Sequence, residues 1–534
     1  MVNALAGEAT DWPARRAGNR VMATARRSLP CVVFCLLSAV PLAAAERWSI
    51  GLTAGNQRIV ARVVEGASAS APTVLLIGGL AGSDATADVV SREVAAFEAL
   101  PQSRRSFRLI ALPLANPDGR PLQFPPAGTA YKENAESHVL WRWIGIHAPD
   151  LAIVVGESAG GLADALSQSA VGFVGKIPSR VAAAKPGILQ SLNAPIPLSE
   201  AHLEITRRLR RTPRELAEEL GKVYGHEFDQ PTYISAMALI AQLRLGNTAE
   251  VLRLTDRYLN GSADSFARPS QSSLAAHMLF YEIARRATGG ERNERAERLV
   301  IRAASSGFTE DGSLRAFMPL NGGWSDSVFM DIPILAKAGA LSGDRKYFDM
   351  AARHFFYMQK IVGRPDGLYR HQASTDAAWG RGNGFPALGL ALTLTNFPKD
   401  HPDYPALVAA FQSHMKALSR YQDENGLFRE VIDYPGAYPE YSGTAMIAEA
   451  MLRGIRRGWL EASVYQPIVD RAWQAVLIRT ASDGRVFDVA ESTGTRGLTL
   501  EDYLRRAAIL DRDPRGGAFA MMLATEIAGL GVEF

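Results

Sequence analysis

The chain has 534 residues, of which 47% are hydrophobic and 21% are charged, and its formal net charge at pH 7 is +3. This composition excludes a disordered or collagen-like protein, and the length predicts two or more domains, because single hydrophobic cores rarely exceed about 300 residues. The sequence contains no basic stripe of the kind that binds nucleic acid, so we expect no nucleic-acid partner.

Residues 1–45 have the pattern of a secretory signal peptide. Arg26 and Arg27 precede an apolar run over residues 29–42, and the run is followed by small residues up to Ala45. A basic segment, a short apolar stretch and a small-residue cleavage site are typical of exported proteins. A membrane anchor is the alternative, but the run is too short to span a bilayer.

Cleavage after this segment would change the charge and the redox chemistry of the chain. We place the natural start of the chain at Met22. Residues 1–45 contain both cysteines, Cys31 and Cys35, and three more basic than acidic residues. The exported chain would therefore be formally neutral and unable to form a disulfide or a zinc–thiolate site. We predict a periplasmic or secreted protein that has no membrane contact after export, no cofactor and a monomeric state.

Residues 46–185 alternate strand-like and helix-like segments. Apolar runs at residues 74–77, 107–112 and 151–155 each end before Gly or Pro, as expected of buried parallel strands that are joined by helices. We therefore predict a small α/β domain over this range. The next segment is interrupted by prolines, and we expect residues 186–205 to be a linker.

This α/β range resembles the zinc carboxypeptidases along three segments, residues 78–84, 112–120 and 136–151. The resemblance places Ala81, Asp84 and Gly156 at the positions of that family's His, Glu and His zinc ligands. Because zinc in such a site needs three protein ligands, one Asp is not sufficient, and no metal is expected. The resemblance therefore implies a metal-free relative that binds a peptide or glycan, or that braces the following domain.

A different interpretation of the same range rests on residues 156–160, which read G-E-S-A-G after a predicted strand. The pattern G-x-S-x-G is typical of a nucleophile elbow, and Ser158 would then be the nucleophile of an esterase. A triad also needs a later Asp or Glu and a later His, and the next histidines, His202 and His226, follow the start of the predicted linker. A structural turn is the simpler explanation of the pattern.

From about residue 200 onward, the sequence predicts helices almost exclusively. A tight-turn dipeptide recurs between pairs of predicted helices at intervals of about 55 residues; its copies are Asn260-Gly261, Asp311-Gly312, Asp366-Gly367, Asn425-Gly426 and Asp483-Gly484. Such repeats predict helical hairpins, and six of them over residues 206–534 would close into a toroid or stack as an open solenoid. In a toroid, the aromatic and charged residues after each turn would meet at one mouth.

Two segments of the helical range carry functional groups. Trp324 and Asp326 precede an apolar helix, where Asp326 is placed as an N-cap, the more common role of such a residue. Residues 379–385 read W-G-R-G-N-G-F and follow no predicted strand, so a dinucleotide site is not expected. Arg381 is suited to bind a carboxylate, and the aromatic residues are suited to stack on a sugar. The alternative is a glycine-rich helix start with buried aromatic side chains.

The order of these segments resembles the unsaturated uronyl hydrolases of glycoside hydrolase family 105 and the related family 88. The likeness covers roughly residues 230–534 and runs through residues 324–330, 366–371, 379–384, 421–428, 432–445 and 454–460. It implies an (α/α)6 toroid of helical hairpins, preceded here by the small α/β domain. It also implies removal of a 4,5-unsaturated uronic acid from the non-reducing end of acidic oligosaccharides that a lyase has produced.

In this resemblance Asp326 matches the catalytic acid, which protonates the C4=C5 bond so that water adds at C5. The residues that match or adjoin the substrate pocket are Trp324, His371, Trp379, Arg381, Asn383 and Phe385. A second carboxylate is expected near residues 269–273, and none is present there. The alternatives to an active hydrolase are therefore an inactive carbohydrate-binding protein and a bifunctional enzyme whose second nucleophile is Ser158.

Overall fold

The computed structural model describes residues 46–157, 159–192, 195–286, 290–493 and 498–531. All of these residues belong to one compact unit. The predicted signal peptide, with both cysteines, and Ser158 lie outside the described residues. No helix in the described ranges is long and apolar enough to cross a bilayer.

The first part of the unit is a mixed sheet, which has six strands in the described residues. They are β1 Glu46–Leu52, β2 Arg58–Val64, β3 Thr73–Ile77, β4 Arg108–Leu112, β5 Leu151–Val155 and β6 Ser179–Ala182. In the spatial order β1-β2-β4-β3-β5-β6, the last four strands are parallel, and β1 and β2 are antiparallel to their neighbours. The three apolar runs of the sequence form β3, β4 and β5, which confirms the predicted α/β region.

Helices cover both faces of this sheet. They are α1 Ala85–Glu98, α2 Ala135–His147 and α3 Leu162–Gln168. Val74 and Leu76 of β3 lie in the core on the α1 side, whereas Leu75 and Ile77 of the same strand lie in the core on the side of α2 and α3. Because neither face is open to water, β3 has apolar residues in succession rather than in alternation.

The rest of the chain is almost entirely helical, as the sequence predicts. The helices are α4 Glu200–Leu209, α5 Pro213–Gly221, α6 Tyr233–Leu245, α7 Thr248–Leu259, α8 Gln271–Ala276, α9 Met278–Arg286, α10 Glu291–Ala304, α11 Ser327–Met330, α12 Ile332–Ser342, α13 Lys346–Val362, α14 Gly380–Asn396, α15 Tyr404–Leu418, α16 Tyr441–Arg456, α17 Ala462–Ile478, α18 Leu500–Leu504 and α19 Pro514–Ile527. Short strands between them are β7 Phe428–Arg429, β8 Pro439–Glu440, β9 Val489–Ala490 and β10 Ala508–Ile509.

The contacts among these helices follow a ring. In the described part of the chain, the inner members are α6, α8–α9, α11–α12, α14, α16 and α19; neighbouring members contact each other, and α19 packs against α6. Along the chain, an outer helix precedes each inner member, in the order α5, α7, α10, α13, α15 and α17. This order of contacts is consistent with the predicted α/α toroid, since the last repeat of an open solenoid does not contact the first.

The repeated Asx-Gly turns have the backbone geometry that the sequence predicts. In all five, the glycine has φ between 80° and 89°, in the left-handed region that a side chain disfavours. The segments after the turns at Gly367 and Gly426 lead to the starts of the inner helices α14 and α16. These two turns therefore direct their following residues towards the same end of the ring.

The α/β region packs against loops of the helical region through a buried polar contact. Tyr131 stacks on Tyr438 with 4.5 Å between ring centroids, and its hydroxyl donates to Asp488 over 2.9 Å. The same carboxylate forms ion pairs of 3.1 Å with Arg142 and with Arg479, and these three side chains are almost fully buried. A buried charge network of this kind holds the two regions in one relative position.

The predicted linker has packed residues of its own. Ile188 and Leu189 are buried on the α1 side of the sheet, and Ser199 caps the start of α4 by accepting the N–H of His202 over 3.0 Å. The chain between the sheet and the ring therefore follows a defined path where the structure describes it. The domain boundaries at residues 185 and 206 stay a prediction.

Candidate active site

The carboxylate of Asp326 faces an imidazole ring instead of capping its own helix. Asp326 occupies the N-cap position of α11, but its side chain accepts no capping hydrogen bond within the described residues. Its Oδ1 is buried without a hydrogen-bond partner in that set and lies 3.5 Å from Nε2 of His371. The side chain is 19% exposed, so solvent can reach it. The N-cap role that the sequence alone favours is therefore wrong for this carboxylate.

His371 is held in one orientation by its surroundings. Its Nδ1 lies 2.6 Å from the hydroxyl oxygen of Tyr503, and its carbonyl oxygen accepts the N–H of Ser325 over 2.9 Å. The ring is stacked on Trp324 and meets Trp379 edge-on, with centroid distances of 6.1 and 4.7 Å. Burial raises the pKa of the Tyr503 hydroxyl, which stays protonated and can donate to Nδ1. In the tautomer in which this hydroxyl donates to Nδ1, the imidazole proton is on Nε2, on the side of the carboxylate.

Several buried polar atoms around this pair have no hydrogen-bond partner in the described chain. They are Oγ of Ser325, Oδ1 of Asp326 and Nε2 of His371, whereas the indole of Trp379 and the carboxyl group of Glu430 are partners of each other. Buried polar groups in folded proteins nearly always have a partner, so this concentration of unpaired atoms indicates a place for a polar ligand or water. The set contains both donors and acceptors, which suits the hydroxyl and carboxylate groups of an acidic sugar.

Two glutamates lie beside the start of α14, Glu430 at Trp379 and Glu440 at 3.6 Å from Arg381, and the sequence interpretation does not select either of them. Glu430 and Glu440 are fully buried, and burial together with the charge of Glu440 raises the pKa of Glu430 well above its usual range. The carboxylate of Glu440 caps α16 by accepting the N–H groups of Ser442 and Gly443 over 3.1 and 2.5 Å. Glu430 could have been found from its position in the repeat, because it follows Gly426 at the same interval at which His371 follows Gly367.

Arg381 and Asn383 are two predicted substrate-binding residues, and the side chains of both form hydrogen bonds within the protein around the site. Nη1 of Arg381 donates to Oγ of Ser442 over 3.0 Å, and Nη2 donates to the carbonyl oxygen of Glu491 over 3.0 Å. The side chain of Asn383 donates to and accepts from the backbone of Tyr369 over 2.9 Å in each direction. Arg381 therefore joins α14 to α16 and to the loop after β9, and Asn383 holds the segment that precedes His371. Their contact with a substrate stays a prediction.

The glycine-rich start of α14 brings two helices together. Phe385 is 1% exposed and lies 5.7 Å from Tyr233 and 5.5 Å from Phe329 between ring centroids. A Cβ at Gly443 of α16 would lie 2.8 Å from the carbonyl group of Gly380, so the close approach of α14 and α16 needs glycine there. These contacts fit the alternative of a glycine-rich helix start with buried aromatic side chains.

A buried carboxylate does lie beside the position where the resemblance expects a second one. No carboxylate stands at residues 269–273, but Nε2 of Gln271 donates to Oδ2 of Asp331 over 3.0 Å. Asp331, between α11 and α12, is fully buried and also lies 3.0 Å from Nε2 of His354. Because the N–H of Met318 donates to Nδ1 of His354, the proton is on Nε2 and points to Asp331. In the sequence, Asp331 could have been found as a charged residue within an apolar predicted helix.

The α/β region uses its candidate residues for structure. Asp84, at a predicted zinc-ligand position, caps α1 by accepting the N–H groups of Thr86 and Ala87. Within the described residues, no group of three or more His, Cys, Asp or Glu side chains is placed to hold a metal. His202 pairs with Asp150 over 3.0 Å, but Asp150 precedes β5 whereas the G-x-S-x-G segment follows it. The pair therefore lies at the other end of the strand from Gly156.

Comparison with known proteins places the helical region in a family. Residues 208–530 match the family described as Glycosyl Hydrolase Family 88. An unsaturated rhamnogalacturonyl hydrolase, YesR, of Bacillus subtilis (strain 168) is 29% identical over 178 residues, which cover 32% of this chain and 50% of that protein. An unsaturated 3S-rhamnoglycuronyl hydrolase of Alteromonas sp. (strain LOR) is 26% identical over 175 residues, which cover 30% of this chain and 42% of that protein. The chain thus spans about half the length of the curated relatives it matches.

Solved structures show the same fold. A glycoside hydrolase of family 105 from C. acetobutylicum ATCC 824 has a TM-score of 0.51 at 18% identity, and the likeness covers 60% of this chain and 100% of that one. At this level of identity the likeness concerns the fold alone. Since the match to the family extends over more than half of the residues, the chain belongs to glycosyl hydrolase family 88.

Proposed function

We propose that this family 88 protein is an exported glycosidase that removes a 4,5-unsaturated uronic acid from the non-reducing end of lyase-generated acidic oligosaccharides. The observation that carries the proposal is the environment of Asp326. Its carboxylate is partly exposed, lacks a partner among the described residues, and lies 3.5 Å from His371 beside the rings of Trp324 and Trp379. The names of the curated relatives, an unsaturated rhamnogalacturonyl hydrolase and an unsaturated 3S-rhamnoglycuronyl hydrolase, support this class of substrate.

In the proposed reaction, Asp326 transfers its proton to C4, and the electrons of the C4=C5 bond form the new C4–H bond. Positive charge develops at C5 and is shared with the ring oxygen, until water attacks C5 and returns one proton to the carboxylate. The resulting hemiketal opens to a ketone at C5. The hemiacetal that this opening leaves at C1 then releases the next sugar, so that one water is consumed in all.

The neighbours of Asp326 have separate tasks in this proposal. Nε2 of His371, which lies 3.5 Å from the carboxylate, is placed to orient it when this nitrogen carries the proton, while the ring of Trp324 packs along the imidazole. The unpaired hydroxyl of Ser325 is suited to bind an oxygen of the uronate. Water that hydrates this hydroxyl in the free protein would then be replaced by the sugar.

The test follows the loss of the ultraviolet absorbance of the C4=C5 bond in lyase-generated oligosaccharides. The wild type is expected to consume the bond, and Asp326→Asn to lose about a hundredfold to ten-thousandfold of the rate, the usual contribution of a general acid. Asp400→Asn, at a carboxylate whose side chain is 74% exposed, is the matched control and keeps full activity. Turnover that survives Asp326→Asn would contradict the assignment. Binding without turnover by the wild type would favour an inactive carbohydrate-binding protein.

We also propose that the helical region is a complete (α/α)6 toroid and that the α/β region, which precedes it along the chain, is a metal-free relative of the zinc carboxypeptidases. We propose further that the protein is a periplasmic or secreted monomer. The order of contacts around the ring supports the first part, and the use of Asp84 as a helix cap supports the second. Export is supported by the sequence pattern before Glu46. Protein purified from the periplasm or medium is expected to begin at Glu46 and to have the mass of one chain by light scattering. Retention of the preceding segment would contradict export.

A further inference from the structure

We propose that the α/β region positions the active site of the helical region through α18. This inference rests on the proposed function, because it concerns the imidazole that faces Asp326. The path runs from the turn between β1 and β2, through Arg505 and Tyr503, to His371. In this path Arg505 and Tyr503 are positioning residues, which act on the reaction through His371.

Arg505 binds the turn between β1 and β2 with both ends of its guanidinium group. Nη1 donates to the carbonyl oxygen of Thr53 over 2.9 Å, and Nη2 donates to the carbonyl oxygen of Ala54 and to Oδ1 of Asn56 over 2.8 and 2.6 Å. Nδ2 of Asn56 donates in turn to Glu501 of α18 over 2.8 Å. A planar guanidinium with several hydrogen bonds fixes an orientation as well as a distance.

The turn is itself fixed to the body of the α/β region. The N–H of Ala54 donates to Oε1 of Glu136 over 2.8 Å, and the N–H of Gly55 donates to Oδ2 of Asp118 over 2.7 Å. Glu136 lies in α2 and is 3% exposed. Asn56 has φ of 62°, a conformation that Asn adopts more readily than most residues. The surface that Arg505 contacts is therefore a defined part of this region.

At its other side, α18 places Tyr503 in the active site. The Tyr503 ring is fully buried, its hydroxyl oxygen lies 2.6 Å from Nδ1 of His371, and the two rings meet edge-on at 5.8 Å. With five residues, α18 is too short to be stable as an isolated helix. Its position therefore depends on contacts such as those of Glu501 and Arg505 with the β1–β2 turn. Loss of these contacts would release the group that holds Nδ1 of His371.

A double-mutant cycle in the full-length protein tests this path. Tyr503→Phe removes the hydroxyl and keeps the ring, and Arg505→Ala removes the contact with the turn. Each is expected to lower kcat about tenfold and to change KM by less than about threefold, because misplacing a catalytic group affects the rate more than binding. The double variant is expected to lose little more than either single variant, since both act on one hydrogen bond. Losses that multiply would overturn the proposal.

Amide hydrogen exchange provides a readout that does not depend on activity. In Arg505→Ala, the N–H of Ser325, which donates to the carbonyl oxygen of His371, is expected to exchange at least about threefold faster. Arg505→Lys keeps the charge and one donor group, and it is expected to restore part of kcat. Arg253→Ala, at a side chain 67% exposed on the outer helix α7, is the control and changes neither quantity. Unchanged exchange in Arg505→Ala would overturn the proposal.

The two proposals fail in different ways. If the wild type does not consume any unsaturated oligosaccharide, the proposed function fails, and the exchange of Ser325 still decides whether α18 positions His371. If the wild type is active and Arg505→Ala matches it in kcat and in exchange, only the positioning role fails.

Discussion

The inner helices enclose one group of buried polar side chains near Asp326 and another near their far ends, and the two groups differ in how many ion pairs they contain. Near Asp326, several polar atoms have no partner among the described residues. At the far ends of α6 and α16, Arg244 and Arg453 lie 3.8 and 3.7 Å from Glu449, and Arg453 lies 2.7 Å from Glu526. The cavity there, of about 20 Å³, has room for little more than water. The far end thus sets arginines against glutamates at ion-pair distance, whereas the atoms left without a partner near Asp326 are suited to a polar ligand.

Among the variants considered, Arg453→Met is expected to cause the largest decrease in the free energy of unfolding. Met keeps much of the side-chain volume but removes the positive charge that lies 2.7 Å from the buried Glu526. Removing one partner of a buried ion pair costs about 3–5 kcal/mol, and we expect a decrease of this size in the free energy of unfolding, measured by denaturant titration. Arg253→Met, at an exposed ion pair, is the control with a far smaller effect. Equal effects at the two positions would show that the buried pair of Arg453 contributes no more than an exposed ion pair.

A smaller decrease in the free energy of unfolding is expected at Asp331, which lies between α11 and α12. Asp331→Asn turns the charged acceptor of the Gln271 and His354 hydrogen bonds into a neutral amide. Because hydrogen bonds to charged groups contribute about 1.5–3 kcal/mol, the free energy of unfolding should fall by about 2 kcal/mol. Gln271 also contacts Ser327, next to Asp326, so kcat is expected to decrease as well. Full stability and activity in this variant would show that the two hydrogen bonds do not need a carboxylate acceptor.

The far end also predicts a pH dependence of stability. Burial, together with the charge of Glu526, raises the pKa of Glu449 from 4.5 to about 7. The unfolded chain loses this proton near pH 4.5 and the folded chain keeps it up to about pH 7, so the free energy of unfolding decreases as the pH rises through this window. Glu449→Gln lacks this loss and should gain about 1–3 kcal/mol over the wild type between about pH 5 and pH 8, compared by denaturant titration. A difference that is independent of pH would contradict the shifted pKa.

The smallest expected effect, with the opposite sign, is near Asp326. Ser325→Ala removes a hydroxyl that is buried without a partner among the described residues, so the free energy of unfolding should rise by about 0.5–1 kcal/mol. The KM for the unsaturated oligosaccharide should rise at the same time, because the substrate loses a donor. Calorimetry and steady-state kinetics measure the two changes. A loss of stability would show that the hydroxyl has a partner in the free protein.

Sequence patterns are informative where functional groups are close along the chain or follow a repeat. Trp324 and Asp326 are such neighbours, and the periodic turns place His371 at their end of the ring. Tyr503 escapes prediction because its contact with His371 joins positions 132 residues apart and the short α18 has no periodic pattern. For Arg381, the residue type indicates what it can bind, whereas only the structure shows that backbone carbonyl groups already occupy its donors.

The shared direction of the inner helices has an electrostatic consequence. Tyr233 at the start of α6, Arg381 at the start of α14 and Ser442 at the start of α16 lie around the site, whereas Arg244 and Arg453 lie at the far ends. Each helix has a partial positive charge at its N-terminus. Under the proposed function, aligned peptide dipoles would attract the anionic sugar, although Lys and Arg hardly outnumber Asp and Glu, at 58 against 55. Because this field acts inside a desolvated mouth, substrate affinity should depend only weakly on ionic strength.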